Sequence, residues 1–127
     1  MNAPELFVRD ERGMPRLVGG YSPTSDTFHF PLSTVCPYSG ADDVERRLLS
    51  GEGTLWGWTA VTAPPPGYAG PVPYGFGVVE LPEGVRVVSR ITESDPSRLS
   101  FGQPVHLVVE HVAVPDGEPV ETYAFEP

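Results

Sequence analysis

The sequence predicts an all-β protein. Five segments in its second half are rich in Val, Trp, Tyr, Phe or Thr, and Gly, Pro or Asp bounds each one, as is typical of short strands joined by turns. The 127 residues include 14 Gly and 16 Pro, which supply those turns, and a hydrophobic content of 39% is enough to build a core. Helical periodicity is confined to one short segment, so no helical layer is expected.

The N-terminal segment, residues 1–50, is predicted to contain a small subdomain with two tight turns. Between Leu17 and Gly40, two Ser/Pro clusters are set among short apolar runs. The turns carry a pattern S-x2-S-x10-C-x2-S, formed by Ser22, Ser25, Cys36 and Ser39. Four cysteines at this spacing would bind zinc, but a serine hydroxyl is a poor zinc ligand beside a thiolate. We therefore expect no bound metal here.

The only helix candidate runs from Gly40 to Ser50. Asp42 and Asp43 lie near its start, and Val44, Leu48 and Leu49 have helix-like spacing. One or two helical turns and an extended connector with solvated charges are equally compatible with this segment.

Residues 51–127 are predicted to form a five-stranded barrel. The Pro and Gly of the segment Leu81–Val85 predict a hairpin turn between the second and third strands. Residues 92–104 contain an Asp-Pro start signal and a Phe-Gly stop signal, which fits a short helix or loop between the third and fourth strands. This arrangement is that of an OB-fold, a common binding platform. The predicted strands are Thr54–Thr62, Tyr74–Leu81, Val85–Ile91, Val105–Val112 and Thr122–Phe125.

Charge and cysteine content exclude several classes of protein. The eight basic residues are all Arg, and the 17 Asp and Glu give a net charge of −9, which disfavours nucleic acid and anionic membranes as partners. A single cysteine, Cys36, excludes an intramolecular disulfide and fits a reducing cytoplasm. The N-terminal residues have no apolar run of the kind found in secretion signals, so a cytoplasmic location is expected.

Several short motifs occur in an order that resembles a known family. They are FHFP, CPYSG from Cys36, SGEGTLW from Ser50, APPPGY from Ala63, VELPEGVR from Val79 and the final YAFEP. Together they resemble the prokaryotic family named domain of unknown function 35, in which a rubredoxin-like zinc ribbon precedes an OB-fold. The resemblance runs from about residue 4 to residue 127.

The resemblance implies a degenerate zinc ribbon in this chain. Members of the family usually have C-x-x-C at both turns, where this chain has Ser22, Ser25, Cys36 and Ser39. Packing is then expected to replace the metal, and Cys36 is expected to act as a small buried hydrophobe. The residues expected to pack are Val18, Phe28, Phe30 and Val35.

The resemblance also implies a non-catalytic role. Family members accompany thiolase-like or aldolase-type acyl-CoA enzymes, including those of steroid and lipid degradation, as subunits that scaffold the enzyme and help to wall its acyl-CoA channel. The sequence contains no G-x-S-x-G, P-loop or H-E-x-x-H motif, and His29, His106 and His111 form no recognisable set. No catalytic residue and no cofactor are therefore predicted. The alternative is a stand-alone OB-fold that binds a small acyl ligand or an oligonucleotide.

The loop from Ala63 to Pro73 is the first candidate contact for a partner or for CoA. Its five prolines restrict the chain, so that the loop would hold Tyr68 outward as a stiff anchor. A rigid connection between two strands explains the same prolines equally well. The residues predicted at the tip are Pro65, Pro66, Gly67 and Tyr68.

Two pairs on the strands complete the candidate contacts. Trp56 and Trp58 lie two apart and are predicted to share a strand face, where they would contact a partner, stack on bases or join the core. Arg86 and Arg90 lie four apart on one strand and are predicted to share a face that could meet a CoA phosphate. A solvated face neutralised by nearby Glu residues is the alternative for the arginines.

Overall fold

The chain folds into two groups of strands joined through one core. The computed structural model describes residues 6–63, 65–115 and 117–127. The N-terminal strands are β1 (Phe7–Arg9), β2 (Pro15–Ser22), β3 (Thr27–His29) and β4 (Glu45–Leu48). The C-terminal strands are β5 (Glu52–Val61), β6 (Tyr74–Glu80), β7 (Arg86–Ile91), β8 (Pro104–Val112) and β9 (Val120–Glu126). The predicted all-β class is confirmed.

Helical structure in the described residues is limited to one 3-10 turn, Pro96–Arg98. The Asp95 side chain caps it by accepting a hydrogen bond from the Ser97 backbone N–H. This turn lies in the segment where the sequence predicts a short helix or loop. None of the described segments forms a helix with the length and apolar character needed to cross a membrane.

The five C-terminal strands form a closed barrel in the order β5-β6-β7-β9-β8. β5, β6 and β7 are successive antiparallel neighbours, and β8 returns to pair with β5. β9 lies between β7 and β8 and runs parallel to β7. This closed five-stranded barrel is consistent with the predicted OB-fold.

The hairpin between β6 and β7 forms as predicted. The Leu81 N–H donates to the Val85 carbonyl at 2.8 Å, and the Gly84 N–H donates to the Leu81 carbonyl at 2.9 Å. Gly84 has a φ of 87°, which only glycine adopts readily. The turn therefore fixes which residues of β6 and β7 face each other.

The N-terminal sheet is built around β2. β1 and β3 pair with successive parts of β2, and β4 pairs with residues Val18 to Tyr21 of the same strand. The helical alternative for residues 40–50 is therefore wrong, because Glu45–Leu48 is a strand. Pairing with β2 supplies the backbone partners that a helix would have supplied internally, and Leu49 then enters the core.

One hydrophobic core joins the sheet to the barrel. Leu17 and Leu49 are fully buried in the same cluster as Leu55 and Phe125 of the barrel. Phe28 and Phe30 pack against that cluster, and Val18 is buried, as expected. Val35 is 42% exposed, so its predicted packing role is wrong. The predicted division into two domains at residue 50 stays a prediction.

Candidate partner-binding surface

Strict alternation on β6 and β7 produces a mixed apolar and charged surface outside the barrel. Gly77 and Val79 of β6 and Val87 of β7 point inward and are buried, while the intervening residues point outward. The outward residues form the cross-strand pairs Glu80–Arg86, Val78–Val88 and Phe76–Arg90. We call these six residues, together with the adjacent Trp56 and Phe101, the outer face.

An aromatic cluster lies at one end of the outer face. The Arg86 guanidinium carbon lies 4.0 Å from the centroid of the Trp56 ring. Phe101 meets the same ring edge-on, with 5.3 Å between the centroids. The Arg86 Nε donates to Glu80 Oε2 at 3.2 Å, which fixes the guanidinium over the indole. Trp56 remains 38% exposed and Phe101 65% exposed.

Trp56 and Trp58 do not share a strand face, so that prediction is wrong. A β-bulge between Leu55 and Gly57 interrupts the alternation of β5. Leu55 and Gly57 pair with the consecutive residues Val79 and Val78 of β6, so that Trp56 is an extra residue without a partner in the register. Trp58 lies opposite the buried Gly77 and packs against the core, and its Nε1–H donates to the Pro96 carbonyl at 3.1 Å. Trp56 is therefore exposed on the outer face, whereas Trp58 packs against the core and borders the outer face at its apolar depression.

The middle of the outer face is an open apolar depression of about 320 Å³. It lies between β5, β6 and β7, and its lining residues are Gly57, Trp58, Thr59, Phe76, Gly77, Val78 and Val88. Val88 is 54% exposed. A hydrophobic side chain of another molecule would find apolar contacts here.

Arg90 organises the other end of the outer face. Its Nε donates to Glu110 Oε2 at 3.2 Å, and its guanidinium carbon lies 4.6 Å from the Tyr74 ring centroid and 5.5 Å from that of Tyr68. Arg86 and Arg90 thus share a strand face, and each has a glutamate partner. Their guanidinium groups hold aromatic rings in place.

The proline-rich loop does not hold Tyr68 out into solvent, contrary to the prediction. Tyr68 is half-buried, its ring meets Tyr74 at 5.1 Å, and its hydroxyl donates to the Pro71 carbonyl at 2.5 Å. The exposed residues of the loop tip are Pro65, Pro66 and Gly67. Pro64 lies outside the described residues. The loop therefore continues the outer face through Tyr74 and Arg90.

Sequence reasoning identified part of the outer face and missed the rest. It found Trp56, Arg86 and Arg90 from residue type and spacing. It missed Phe76 and Val88, which the alternation with Arg86 and Arg90 could have revealed. It also missed Phe101, because that residue was interpreted only as the end of a connecting segment.

Three of the four residues of the S-x2-S-x10-C-x2-S pattern meet in the structure. Ser25 Oγ lies 3.5 Å from Cys36 Sγ, and Ser39 Oγ donates to Ser25 Oγ at 3.4 Å. Hydrogen bonding from Ser25 and then Ser39 lowers the pKa of the Cys36 thiol to about 6. Cys36 is buried, as expected.

The fourth position, Ser22, is turned toward a carboxylate. Its hydroxyl donates to Asp43 Oδ1 at 2.7 Å, and Asp43 Oδ2 accepts from both the backbone N–H and the hydroxyl of Thr24. The Thr24 and Ser22 hydroxyls lower the pKa of Asp43 to about 2. Hydrogen bonds through Asp43 connect the first turn to the residues before β4.

The histidines occupy three separate places. His29 is buried, whereas His106 and His111 are exposed beside Glu126 and Glu121, at 3.2 and 3.6 Å. Across residues 6–63, 65–115 and 117–127, no three His, Cys, Asp or Glu side chains are placed to hold a metal ion.

Comparison with known proteins decides the family. The profile of a family described as "ChsH2, C-terminal OB-fold domain" matches residues 46–110. The chain is also similar to a "DUF35 domain-containing scaffold protein" of Pyrococcus furiosus, at 30% identity over 120 residues. That match covers 94% of this chain and 88% of the archaeal protein.

This chain belongs to the DUF35 family.

Two further matches relate this DUF35 chain to enzymes. The solved structure of an "Ltp2-ChsH2(DUF35) aldolase" has a TM-score of 0.67 and 26% sequence identity, over 88% of this chain and 84% of the matched one. The "3-oxo-4,17-pregnadiene-20-carboxyl-CoA hydratase alpha subunit" of Mycobacterium tuberculosis is 37% identical over 81 residues. These residues are 63% of the DUF35 chain and 24% of the hydratase subunit.

The chemistry of the outer face suits recognition. Trp and Arg are enriched at the centres of protein interfaces, and here the Trp56 ring, the Arg86 guanidinium and the Phe101 ring are held in mutual contact. Because these rigid groups lose little freedom when they are covered, the outer face of this DUF35 chain is suited to bind a partner.

Proposed function

We propose that this DUF35 chain is a non-catalytic scaffold subunit of an aldolase-type acyl-CoA enzyme. The observation that carries the proposal is the likeness over most of the chain to a DUF35 component of an aldolase structure. Archaeal relatives with the name of scaffold proteins support the same role. The chemistry in this proposal belongs to the partner enzyme.

The relatives also support a substrate class for the partner enzyme. A relative that is part of a steroid CoA-thioester hydratase supports an acyl-CoA substrate and a place in steroid or lipid degradation. A thiolase-like enzyme is the other partner that we propose, because thiolases and aldolases of this kind both act on acyl-CoA thioesters. In either case the scaffold would help to form the channel for the acyl chain.

We place the partner on the outer face and on the adjoining loop of Tyr68. Trp56 and Phe101 supply exposed aromatic area, and the depression around Val78 and Val88 accepts an apolar side chain. Arg86 and Arg90 each have a glutamate partner and contact aromatic rings, which supports a role in positioning those rings. Contact with a CoA phosphate stays a prediction.

Removal of the Trp56 ring tests this placement. We expect Trp56→Ala to weaken the complex by roughly 1–3 kcal/mol, about 5- to 150-fold in Kd, because the ring is the centre of the exposed cluster. The measurement begins with co-expression of this chain with an aldolase-type or thiolase-like protein encoded by a neighbouring gene. Size-exclusion chromatography and titration of the purified subunits then give the affinity.

The matched control is Tyr38→Ala, which removes a 68% exposed aromatic side chain from the N-terminal segment. It should leave the affinity unchanged. Equal binding by Trp56→Ala and wild type would place the contact elsewhere. Turnover of an acyl-CoA substrate by the isolated chain would contradict the scaffold role itself.

A further inference from the structure

A second surface, on the N-terminal sheet, has a different chemistry from the outer face. An open groove of about 670 Å³ lies among β1, the turn after it, β2 and β4. Four arginines line it, accompanied by two apolar and two acidic side chains. The lining residues are Val8, Arg9, Asp10, Glu11, Arg12, Arg16, Arg46 and Leu48.

This groove is rich in positive charge, although the chain as a whole is negatively charged. Four of the eight arginines line one groove, although the chain has a net charge of −9. The groove itself has twice as many guanidinium groups as carboxylates. Over the screening length of about 8 Å at physiological salt, a bound group responds to this local set more than to distant acids.

The strand pairing holds one of the arginines rigidly at the groove. Arg16 Nε donates to the Leu49 carbonyl at 2.5 Å, and its Nη2 lies 3.4 Å from the Leu48 carbonyl. Arg16 Nη1 also lies 3.7 Å from Asp10 Oδ2. Arg16 therefore joins β2 to the end of β4 and provides a fixed positive wall.

The Asp10 carboxylate beside Arg16 also accepts hydrogen bonds from the backbone of its own turn. Asp10 Oδ1 accepts hydrogen bonds from the backbone N–H groups of Arg12 and Met14, at 2.9 and 3.0 Å. These bonds shape the turn between β1 and β2, while Asp10 Oδ2 faces Arg16 and offsets part of its charge. Arg9 lies 3.8 Å from Glu121 and remains half-exposed, while Arg12 and Arg46 are exposed.

We propose that this groove binds a small anion that carries at least two phosphate groups. Guanidinium groups bind phosphate oxygens through paired hydrogen bonds, and several of them in one groove match a group with several negative charges. A protein segment rich in carboxylates is disfavoured as the occupant, since the rest of this acidic chain would repel an extended acidic partner.

Titration of the isolated chain with inorganic pyrophosphate tests the proposal without any partner enzyme. We expect binding that weakens as the salt concentration rises, and at least a tenfold loss of affinity in the double variant Arg12→Ala/Arg46→Ala. Arg98→Ala is the matched control, because Arg98 is 73% exposed and lies away from the groove on the 3-10 turn. It should bind pyrophosphate like wild type.

Four outcomes would overturn the proposal. They are no binding of pyrophosphate at millimolar concentration, equal losses in the control and the double variant, equally tight binding of citrate, and tighter binding of a hexaglutamate peptide. If the double variant does not fold, Arg12→Ala alone, in the exposed turn, must show the loss. Because the titration uses the chain by itself, its result is separate from that of the partner-binding experiment.

Discussion

At the scale of single residues, the Cys36 sulfur lies close to the hydroxyl groups of Ser25 and Thr27, at 3.5 and 3.7 Å. Ser25 and Ser39 hold the pKa of the Cys36 thiol at about 6, below its ordinary value of 9.0. The folded chain therefore binds fewer protons than the unfolded chain between about pH 6 and pH 9. Ionisation of Cys36 adds stability as the pH rises through this interval, and that contribution is lost as the pH falls through 6.

This linkage predicts a pH-dependent difference between wild type and Cys36→Ser. We expect the Tm of wild type minus the Tm of the variant to increase from about pH 6 to about pH 9. Thermal melts of both proteins across this range give the difference, which cancels the effect of the other titrating groups. A difference that does not change with pH would contradict an ionised thiol.

At the scale of elements, the bulge of β5 depends on close contact with β6. A Cβ atom added to Gly77 would lie 2.3 Å from the Gly57 carbonyl oxygen, whereas one added to Gly57 would meet nothing within 4 Å. The backbone oxygen cannot retreat without breaking the pairing of the two strands. Glycine is thus required at residue 77 of β6 but not at residue 57 of β5.

Paired alanine substitutions measure this requirement. We expect Gly77→Ala to lower the free energy of unfolding by about 1–3 kcal/mol, as is usual when a well-packed site is overfilled. Gly57→Ala, the control, should change it by about 0.5 kcal/mol or less. Urea denaturation provides both values, and a small effect of Gly77→Ala would show that the two strands can separate at the bulge.

The same bulge marks the limit of what the sequence could predict. The barrel strands were predictable because runs such as YGFGVVEL and VRVVSRI combine β-branched and aromatic residues with clear turn residues. The different positions of Trp56 and Trp58 were not, because a bulge depends on the register with a partner strand. Likewise, the segment 40–50 has helix-like spacing, and the pairing of its residues 45–48 with β2 decides its conformation.

The sequence predicts which residue types form the candidate contacts better than it predicts the directions of their side chains. Trp56 and the arginines of β7 lie on the outside of the barrel, as their sequence pattern suggests. The prolines around Tyr68 indicated a stiff loop, but the direction of the ring follows from Tyr74 and the Pro71 carbonyl, which meet it in three dimensions.

At the scale of the whole molecule, the shared core couples the N-terminal sheet to the barrel. Leu17 and Leu49 are fully buried against barrel residues such as Leu55 and Val105. A cavity at either leucine would therefore remove contacts from both groups of strands. The two parts should unfold together.

Leu49→Ala tests this coupling. We expect a loss of about 2–5 kcal/mol in the free energy of unfolding and a single cooperative transition. Tryptophan fluorescence reports on the barrel through Trp58, and far-ultraviolet circular dichroism reports on all strands. A barrel signal that keeps its wild-type midpoint would contradict the coupling and favour two independent domains.

The closed barrel and the open N-terminal sheet also differ in whether they have strand edges that could pair with another copy of the chain. Each barrel strand has neighbours on both sides, whereas β1, β3 and β4 each pair with β2 alone among the described strands. An unpaired strand edge can recruit a further strand and start aggregation. Glu45, Arg46 and Arg47 make the short β4 edge charged and exposed, which is a common protection against such growth. The arginines of β4 thus help to keep the chain from polymerising through this edge of the N-terminal sheet.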